Sequence, residues 1–229
     1  CTERFASEGA TTIALGRGVA KGNKLIDRLR ESGHEAHFLA CDCANEDQVL
    51  QTSKVIHERW GRADILCNIA GGWIGAPPIE EVTIEALHHS YDWNITSKFL
   101  MTKALVPSMK KNGYGRIVNM SSTTGRRGRV DAALQYSTME AGVLGFTRAL
   151  ALQLAPFGIT VNAIAPGTTR TPRAERHSEE RLAATARGIP VGRLGLATEQ
   201  AHAIWYLCTP GAAFTTGATL DVNGGNWTG

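Results

Sequence analysis

Hydrophobic and polar positions along the chain follow two alternating patterns. Short runs rich in apolar and β-branched residues, such as Thr11 to Leu15, are typical of strands that are buried on both faces. Longer segments with apolar residues every three or four positions, such as Leu25, Ile26 and Leu29, predict amphipathic helices. The pattern predicts strands at 11–15, 35–40, 64–68, 115–120, 160–165 and 219–222, and helices ending near 9 and spanning 24–31, 46–60, 84–111, 135–155 and 199–208.

This strict alternation predicts the arrangement of the elements. Apolar strands separated by helices of a dozen or so residues form a parallel sheet covered on both faces. We therefore predict an α/β fold, with a doubly wound, Rossmann-like parallel sheet in a three-layer α/β/α architecture. A length of 229 residues suits one such domain over 1–229.

Composition excludes several classes of function. The net charge is only +3 and its basic residues are scattered, which argues against a nucleic-acid surface. No apolar run approaches the roughly 20 residues of a membrane span. The five cysteines include no C-x-x-C pair, which argues against a zinc site and favours a reducing compartment. We expect a soluble, cytoplasmic protein without a metal.

Short motifs recur at the ends of the predicted strands and at the start of the helix that opens near 135, and Asn94 lies inside the predicted helix 84–111. In chain order these residues are Asp42, Asn68, Ala70, Gly71, Asn94, Ser122, Tyr136, Pro166, Gly167 and Thr171. Each alone is a weak signal, but together, each on its expected element, they form a specific pattern. In these positions the chain resembles the short-chain dehydrogenase/reductase family over essentially its whole length.

The resemblance implies hydride transfer between a nicotinamide cofactor and a carbonyl or secondary alcohol substrate, most simply ketone reduction. It implies Tyr136 as the acid/base, Ser122 as the group that polarises the substrate oxygen, and Asn94 as support for a proton relay. Each residue has a purely structural alternative. Tyr136 would be a packing residue, Ser122 a turn or capping serine, and Asn94 a solvated polar residue of a helix.

The resemblance also implies a cofactor pocket. Asp42 would meet the adenine, or else simply stabilise a turn. The residue that distinguishes the two dinucleotides should be Gly16 or Arg17, and because neither is acidic we expect NADP in preference to NAD, which stays open. The remaining cofactor-binding candidates are Asn68, Ala70, Gly71, Tyr136, Pro166, Gly167 and Thr171.

Family members begin with a strand and a glycine-rich turn that precede anything in this sequence, which opens at Cys1. We therefore expect the sequence to be incomplete at its start. A sheet without that central strand should expose apolar edges and bind a dinucleotide weakly.

Glu140 departs from the family pattern, which has a lysine one helical turn after the tyrosine. A carboxylate there should disfavour the phenolate form of Tyr136, so Glu140→Lys should raise activity. Position 140 could also be an ordinary solvated helix position. Two hypotheses remain open: an active NAD(P)-dependent reductase, and an impaired or non-catalytic member that acts as a binding or oligomeric scaffold.

Two groups of arginines flank the predicted site, and they are either solvated or suited to an anionic substrate. They are Arg126, Arg127 and Arg129, and Arg170, Arg173 and Arg176. The segment 168–190, predicted to be irregular, resembles the family's substrate lid. The segment 217–225 resembles a strand and turn used in tetramer contacts, so we expect a homo-oligomer.

Overall fold

The computed structural model describes residues 1–129, 132–172 and 174–229. The helices in these ranges are α1 (Thr2–Ser7), α2 (Val19–Glu31), α3 (Glu46–Trp60), α4 (Ile84–Tyr91), α5 (Ser97–Asn112), α6 (Leu134–Leu154), α7 (Glu179–Arg187) and α8 (Ala197–Cys208). The strands are β1 (Thr12–Gly16), β2 (Ala36–Ala40), β3 (Ile65–Asn68), β4 (Gly115–Met120), β5 (Ile159–Pro166), β6 (Thr169–Arg170), β7 (Gly195–Leu196) and β8 (Thr219–Val222).

Parallel sheets form the centre of the fold. A four-stranded sheet has the order β3-β4-β5-β8, a second sheet pairs β1 with β2, and β6 pairs with β7. All of these pairings are parallel, which confirms the predicted α/β fold class. The four strands of the main sheet therefore end on a common side, where open α/β sheets bind their ligands.

The two faces of the main sheet are covered by different helices. Neighbouring residues of β4 point to opposite faces: Ile117 joins a core formed with α3, α5 and the end of α6, whereas Val118 packs with α1 and α8. Both side chains are fully buried. This alternation within one strand produces the predicted three layers.

A gap separates β1 from β3. A cavity of about 650 Å³ lies between these strands, and its lining includes Ile13, Leu15, Leu66 and Met101. All five residues of β1 are partly exposed, whereas β5 is buried along almost its whole length. Apolar side chains of β1 and β3 thus line the space between the two sheets.

Three local features differ from the sequence predictions. The predicted helix over 84–111 is interrupted by a π-helical turn, Asp92–Thr96, between α4 and α5. Helix α2 begins five residues earlier than predicted. The segment predicted to be irregular contains α7, whose N-cap Ser178 accepts a hydrogen bond from the Arg181 amide and is followed by two glutamates. Among the described helices, none is long and apolar enough to cross a membrane.

Candidate active site

The loop after β4 is fastened to helix α6. Ser121 Oγ donates a hydrogen bond of 2.9 Å to the carbonyl oxygen of Glu140. A Cβ atom added to Gly125 would lie 2.6 Å from the Glu140 carbonyl carbon, so only glycine allows this approach. These contacts hold Ser122 against the first turns of α6, which carry Tyr136.

Ser122 has a local structural role. It is the N-cap of the 3-10 turn Thr123–Gly125, and its Oγ accepts a hydrogen bond of 3.2 Å from the Thr124 amide. Ser122 therefore does cap this turn, as its structural alternative states. A serine hydroxyl that accepts one bond can still donate its own proton, so this role is compatible with polarising a substrate oxygen.

Asn94 is fully buried in the π-helical turn, so the solvated alternative is wrong. Its Oδ1 accepts from the Gly72 amide at 2.8 Å, and its Nδ2 donates to the carbonyl oxygens of Gly72 at 3.0 Å and Ser90 at 2.9 Å. A Cβ atom at Gly71 would lie 2.6 Å from Asn94 Oδ1. The side chain thus clamps the glycine-rich loop that follows β3.

Lys98, one helical turn after Asn94, is a site residue that the sequence analysis missed. Only 2% of its surface is exposed, and its Nζ donates to the Ala70 carbonyl oxygen at 2.8 Å. The same Nζ lies 3.4 Å from the position that a Gly71 Cβ would occupy. The signal that the sequence carries for it is the Asn94-x-x-x-Lys98 spacing, which places the two side chains one helical turn apart.

Glu140 is 3% exposed, so the alternative of a solvated helix position is wrong. Burial raises the pKa of its carboxyl group to about 7, against the opposing effects of attraction to Lys98 and hydrogen bonds with the side chains of Ser121 and Tyr136. Among the described residues its Oε2 has no hydrogen-bond partner. Burial likewise lowers the pKa of Lys98, opposed by the attraction of Glu140 and Cys43. In both groups desolvation outweighs their mutual attraction.

The predicted adenosine end of the cofactor site lies after β1 and β2. Arg17 Nη1 is 3.7 Å from Asp42 Oδ2, and the Arg17 side chain remains 70% exposed. Asp42 Oδ1 also accepts from the Ala44 amide at 3.0 Å, so the turn role proposed for Asp42 is real. An exposed guanidinium at this point fits a ribose 2′-phosphate.

The remaining cofactor candidates form hydrogen bonds within the protein. The Asn68 side chain points into a buried network, donating to Asn119 Oδ1 at 2.9 Å and Thr102 Oγ1 at 3.2 Å. Gly167 follows Pro166 at the end of β5, and its amide donates to the Val222 carbonyl at 3.0 Å. Thr171 Oγ1 accepts from the Ala174 amide at 3.3 Å. The binding roles of these residues stay predictions.

These residues fit a dinucleotide at its two ends. Exposed Arg17 beside Asp42 suits the adenosine end, whereas the Lys98 ammonium near Glu140 suits the ribose hydroxyls of the nicotinamide end. Among the described residues, no cluster of three or more His, Cys, Asp or Glu could hold a metal ion.

Most of the predicted arginines have partners in the protein. Arg126 forms a paired contact with Asp221, with Nη2 to Oδ2 at 2.7 Å, and stacks 4.2 Å above Trp227. Arg170 pairs with glutamates in or near α7. Arg176 is exposed, and Arg173 lies outside the described residues. An open crevice of about 430 Å³ is lined by Arg127, Arg129, Thr168, Arg181, Ala184, Thr185, Gly188 and Asn226.

A parallel α/β sheet whose strand ends carry polar residues and glycines is typical of dinucleotide-dependent oxidoreductases. The comparisons with known proteins agree. Residues 1–226 match the family model described as enoyl-(acyl carrier protein) reductase. The chain belongs to the short-chain dehydrogenase/reductase family, whose members are NAD(P)-dependent oxidoreductases.

Individual relatives point to carbonyl chemistry. The 3-oxoacyl-(acyl-carrier-protein) reductase FabG of Vibrio cholerae is 34% identical over 97% of this chain and 89% of its own. The NAD(+)-dependent 2-dehydro-3-deoxy-L-rhamnonate dehydrogenase of Sphingomonas is 33% identical, over 96% of this chain and 89% of its own. The crystal structure of an actinorhodin polyketide ketoreductase variant with NADPH superimposes with a TM-score of 0.94 at 35% identity, covering 98% of this chain and 90% of that one. Nothing in these comparisons favours the non-catalytic scaffold.

Proposed function

We propose that this protein is an NADPH-dependent reductase of ketones, acting on a ketoacyl-type substrate at the edge formed by the ends of β3 and β4. The observation that carries the proposal is the convergence of two elements on α6, the Ser122 turn and the π-helical turn. The Ser122 turn is tied to α6 through Ser121, and the π-helical turn at Asn94 packs against the same helix, with Ile95 near Gly142. The names of the relatives support the ketone as the reacting group.

The residues divide the work of the reaction between them. Bound NADPH would supply the hydride that reduces the carbonyl carbon. The Ser122 hydroxyl donates a hydrogen bond to the carbonyl oxygen, and Tyr136 transfers its phenolic proton to that oxygen as the alcohol forms. Asn94 holds the Gly71–Gly72 loop in place for this step, through its bonds to both backbone groups of Gly72.

The choice of NADPH over NADH rests on Arg17. Its guanidinium is exposed beside Asp42, at the place where the 2′-position of the adenosine ribose would lie. A 2′-phosphate would compete with Asp42 for this arginine and win, because it carries more charge.

The substrate is acyl-linked and anionic in this proposal. The crevice lined by Arg127, Arg129 and Arg181 supports a negatively charged group on the substrate or its carrier. Helix α7 forms one wall of the crevice and belongs to the segment 168–190, which we propose acts as the substrate lid of a single domain over 1–229.

We further propose a cytoplasmic homo-oligomer, a tetramer or a dimer. All five cysteines are free, as a reducing compartment would leave them. The edge strand β8 pairs on one side with β5, and exposed apolar residues occur nearby, such as Phe214 and Leu220. Light scattering on the purified protein tests the assembly, and a monomer at micromolar concentration would refute it.

The test of the function is a panel of ketones, including β-ketoacyl thioesters, with NADPH oxidation by the full-length protein as the measurement. Tyr136→Phe, which removes one hydroxyl, should lower kcat at least about 100-fold, with an NADPH dissociation constant close to that of the wild type. Tyr114→Phe, another tyrosine change, is the matched control. NADPH binding without turnover of any ketone would overturn the proposal.

A further inference from the structure

The site contains a buried pair of ionisable groups that the reaction as written above does not use. Lys98 on α5 and Glu140 on α6 are 2% and 3% exposed, and each is electrostatically coupled to the other. Burying two such groups is unfavourable unless their geometry compensates for the lost hydration. Because burial of this pair is unfavourable for folding, its position beside Tyr136 indicates a role in the reaction.

We propose that Glu140 is the positioning residue that returns a proton to Tyr136 after each reduction, and that the Lys98 ammonium stabilises the carboxylate left behind. This inference rests on the proposed function, because it needs Tyr136 to be the proton donor. It assigns to Lys98 the positive charge that the first turns of α6 lack.

The geometry of α6 connects the two acids. Tyr136 and Glu140 are four residues apart and lie on one face of the helix, where their side chains share a hydrogen bond. The other carboxyl oxygen, Oε2, is buried without a partner among the described residues. An ionised carboxylate with a bare oxygen is poorly stabilised in this setting, so the neutral acid is readily available.

The protonation state of Glu140 decides what the tyrosine hydroxyl does. A neutral carboxyl can donate to the phenolic oxygen, which leaves the Tyr136 hydroxyl hydrogen free to point at a substrate. An ionised carboxylate can only accept, and it then draws that hydrogen toward itself. The protonated form of Glu140 is therefore the form competent for reduction.

The proton balance closes without a further reactant. Tyr136 gives its proton to the substrate oxygen, for which bound NADPH would supply the hydride to the carbon, and a phenolate remains. The Glu140 carboxyl transfers its proton to that phenolate, and the resulting carboxylate is held by the Lys98 charge. Glu140 then takes a proton from solvent, so each turnover consumes one hydride and one solvent proton.

Lys98 reaches this site from another helix. Its Nζ is held by the Ala70 carbonyl oxygen at 2.8 Å, next to Gly71 and the Asn94 amide. The Cys43 thiol also interacts with Lys98, and burial raises its pKa to about 12, so the thiol stays neutral. Helix α4 and the π-helical turn also pack on α6 and carry the titratable residues Glu85, His88, His89, Tyr91 and Asp92.

The test combines kinetics with a measurement that needs no cofactor. In the wild type, kcat for ketone reduction should fall about tenfold per pH unit above a midpoint near pH 7. Glu140→Gln, which keeps the shape but cannot give up a proton, should lower kcat about tenfold near neutral pH and remove that inflection. Its NADPH dissociation constant should stay within about threefold of the wild type. Glu58→Gln, on the exposed side of α3, is the matched control.

Without cofactor, ¹³C NMR of glutamate carboxyl carbons should show one resonance that titrates near pH 7 and is missing in Glu140→Gln. Lys98→Met should move that midpoint upward by at least about one pH unit, and Lys98→Arg should restore it. If the wild type reduces ketones and Glu140→Gln has the same kcat and the same inflection in its pH profile, the relay is refuted and the proposed function is not. If the wild type reduces no ketone, the proposed function fails and the relay with it.

Discussion

The buried Glu140 carboxyl should leave a specific mark on the pH dependence of stability. Its pKa is raised from 4.5 to about 7 in the folded protein, mainly by burial. Between those two values the folded state binds more protons than the unfolded state. The stability due to this group is therefore fully present below the unfolded pKa and is lost as the pH rises through 7.

The size of the effect follows from the two pKa values. Each pH unit between them is worth about 1.4 kcal/mol, so the free energy of unfolding should fall by on the order of 3 kcal/mol from pH 4.5 to pH 8 on account of Glu140. In Glu140→Gln this contribution is absent. The difference in free energy of unfolding between wild type and variant should thus change by that amount across the range.

Urea unfolding at about pH 5 and about pH 8 measures this difference, because the effects of the seven histidines cancel between wild type and variant. The exposed Glu58→Gln substitution should show no such change. A difference between wild type and Glu140→Gln that is independent of pH, or that grows with the opposite sign, would refute the reasoning.

Three further substitutions test other parts of the site. Asn94→Ala should lower the free energy of unfolding by about 3 kcal/mol, because it leaves both backbone groups of Gly72 without their partner; an unchanged urea midpoint would contradict this. Arg17→Ala should weaken NADPH binding about tenfold in fluorescence titrations and leave NADH binding unchanged, whereas equal losses for both would argue against a phosphate contact. Glu140→Lys should lower the thermal midpoint, because it buries a second cation next to Lys98, and adding Lys98→Met should recover most of the loss. Equal stability of wild type and Glu140→Lys would contradict this coupling.

The last of these expectations concerns stability, and it adds a cost to the gain in activity that the sequence predicts. Position 140 alone suggested that a lysine would restore a missing charge and raise activity. The structure shows a buried Lys98 already at the site, held by the Ala70 carbonyl, so a second lysine would meet it in a desolvated space. That contact joins residues 28 positions apart in sequence, which no local pattern reveals.

The fold was predictable because its signal is local. Strands such as β4 and β5 are continuous apolar runs, and the helices between them carry a regular apolar face, so the alternation determines the parallel sheet. Helix α7 could also have been recognised, since Ser178 and the two glutamates after it form a typical helix start.

The π-helical turn at Asp92–Thr96 was not predictable in the same way. It lies where Asn94 bonds to Gly72, a contact across 22 positions that depends on how the loop after β3 folds. The candidate residues at strand ends could be proposed because strand ends are visible in sequence. Their contacts with Lys98 on α5 and with the loop after β3 could not be proposed from sequence, because these contacts join residues that are distant along the chain.

The central claim is that this protein transfers a hydride from NADPH to a ketone, with Tyr136 as the proton donor. The most direct measurement uses NADPH deuterated at nicotinamide C4 and a β-ketoacyl thioester, with mass spectrometry of the product. The account predicts an alcohol that carries one deuterium on the former carbonyl carbon, formed by the wild type and at least about 100-fold more slowly by Tyr136→Phe. Recovery of unreduced ketone, or equal rates for the two proteins, would contradict it.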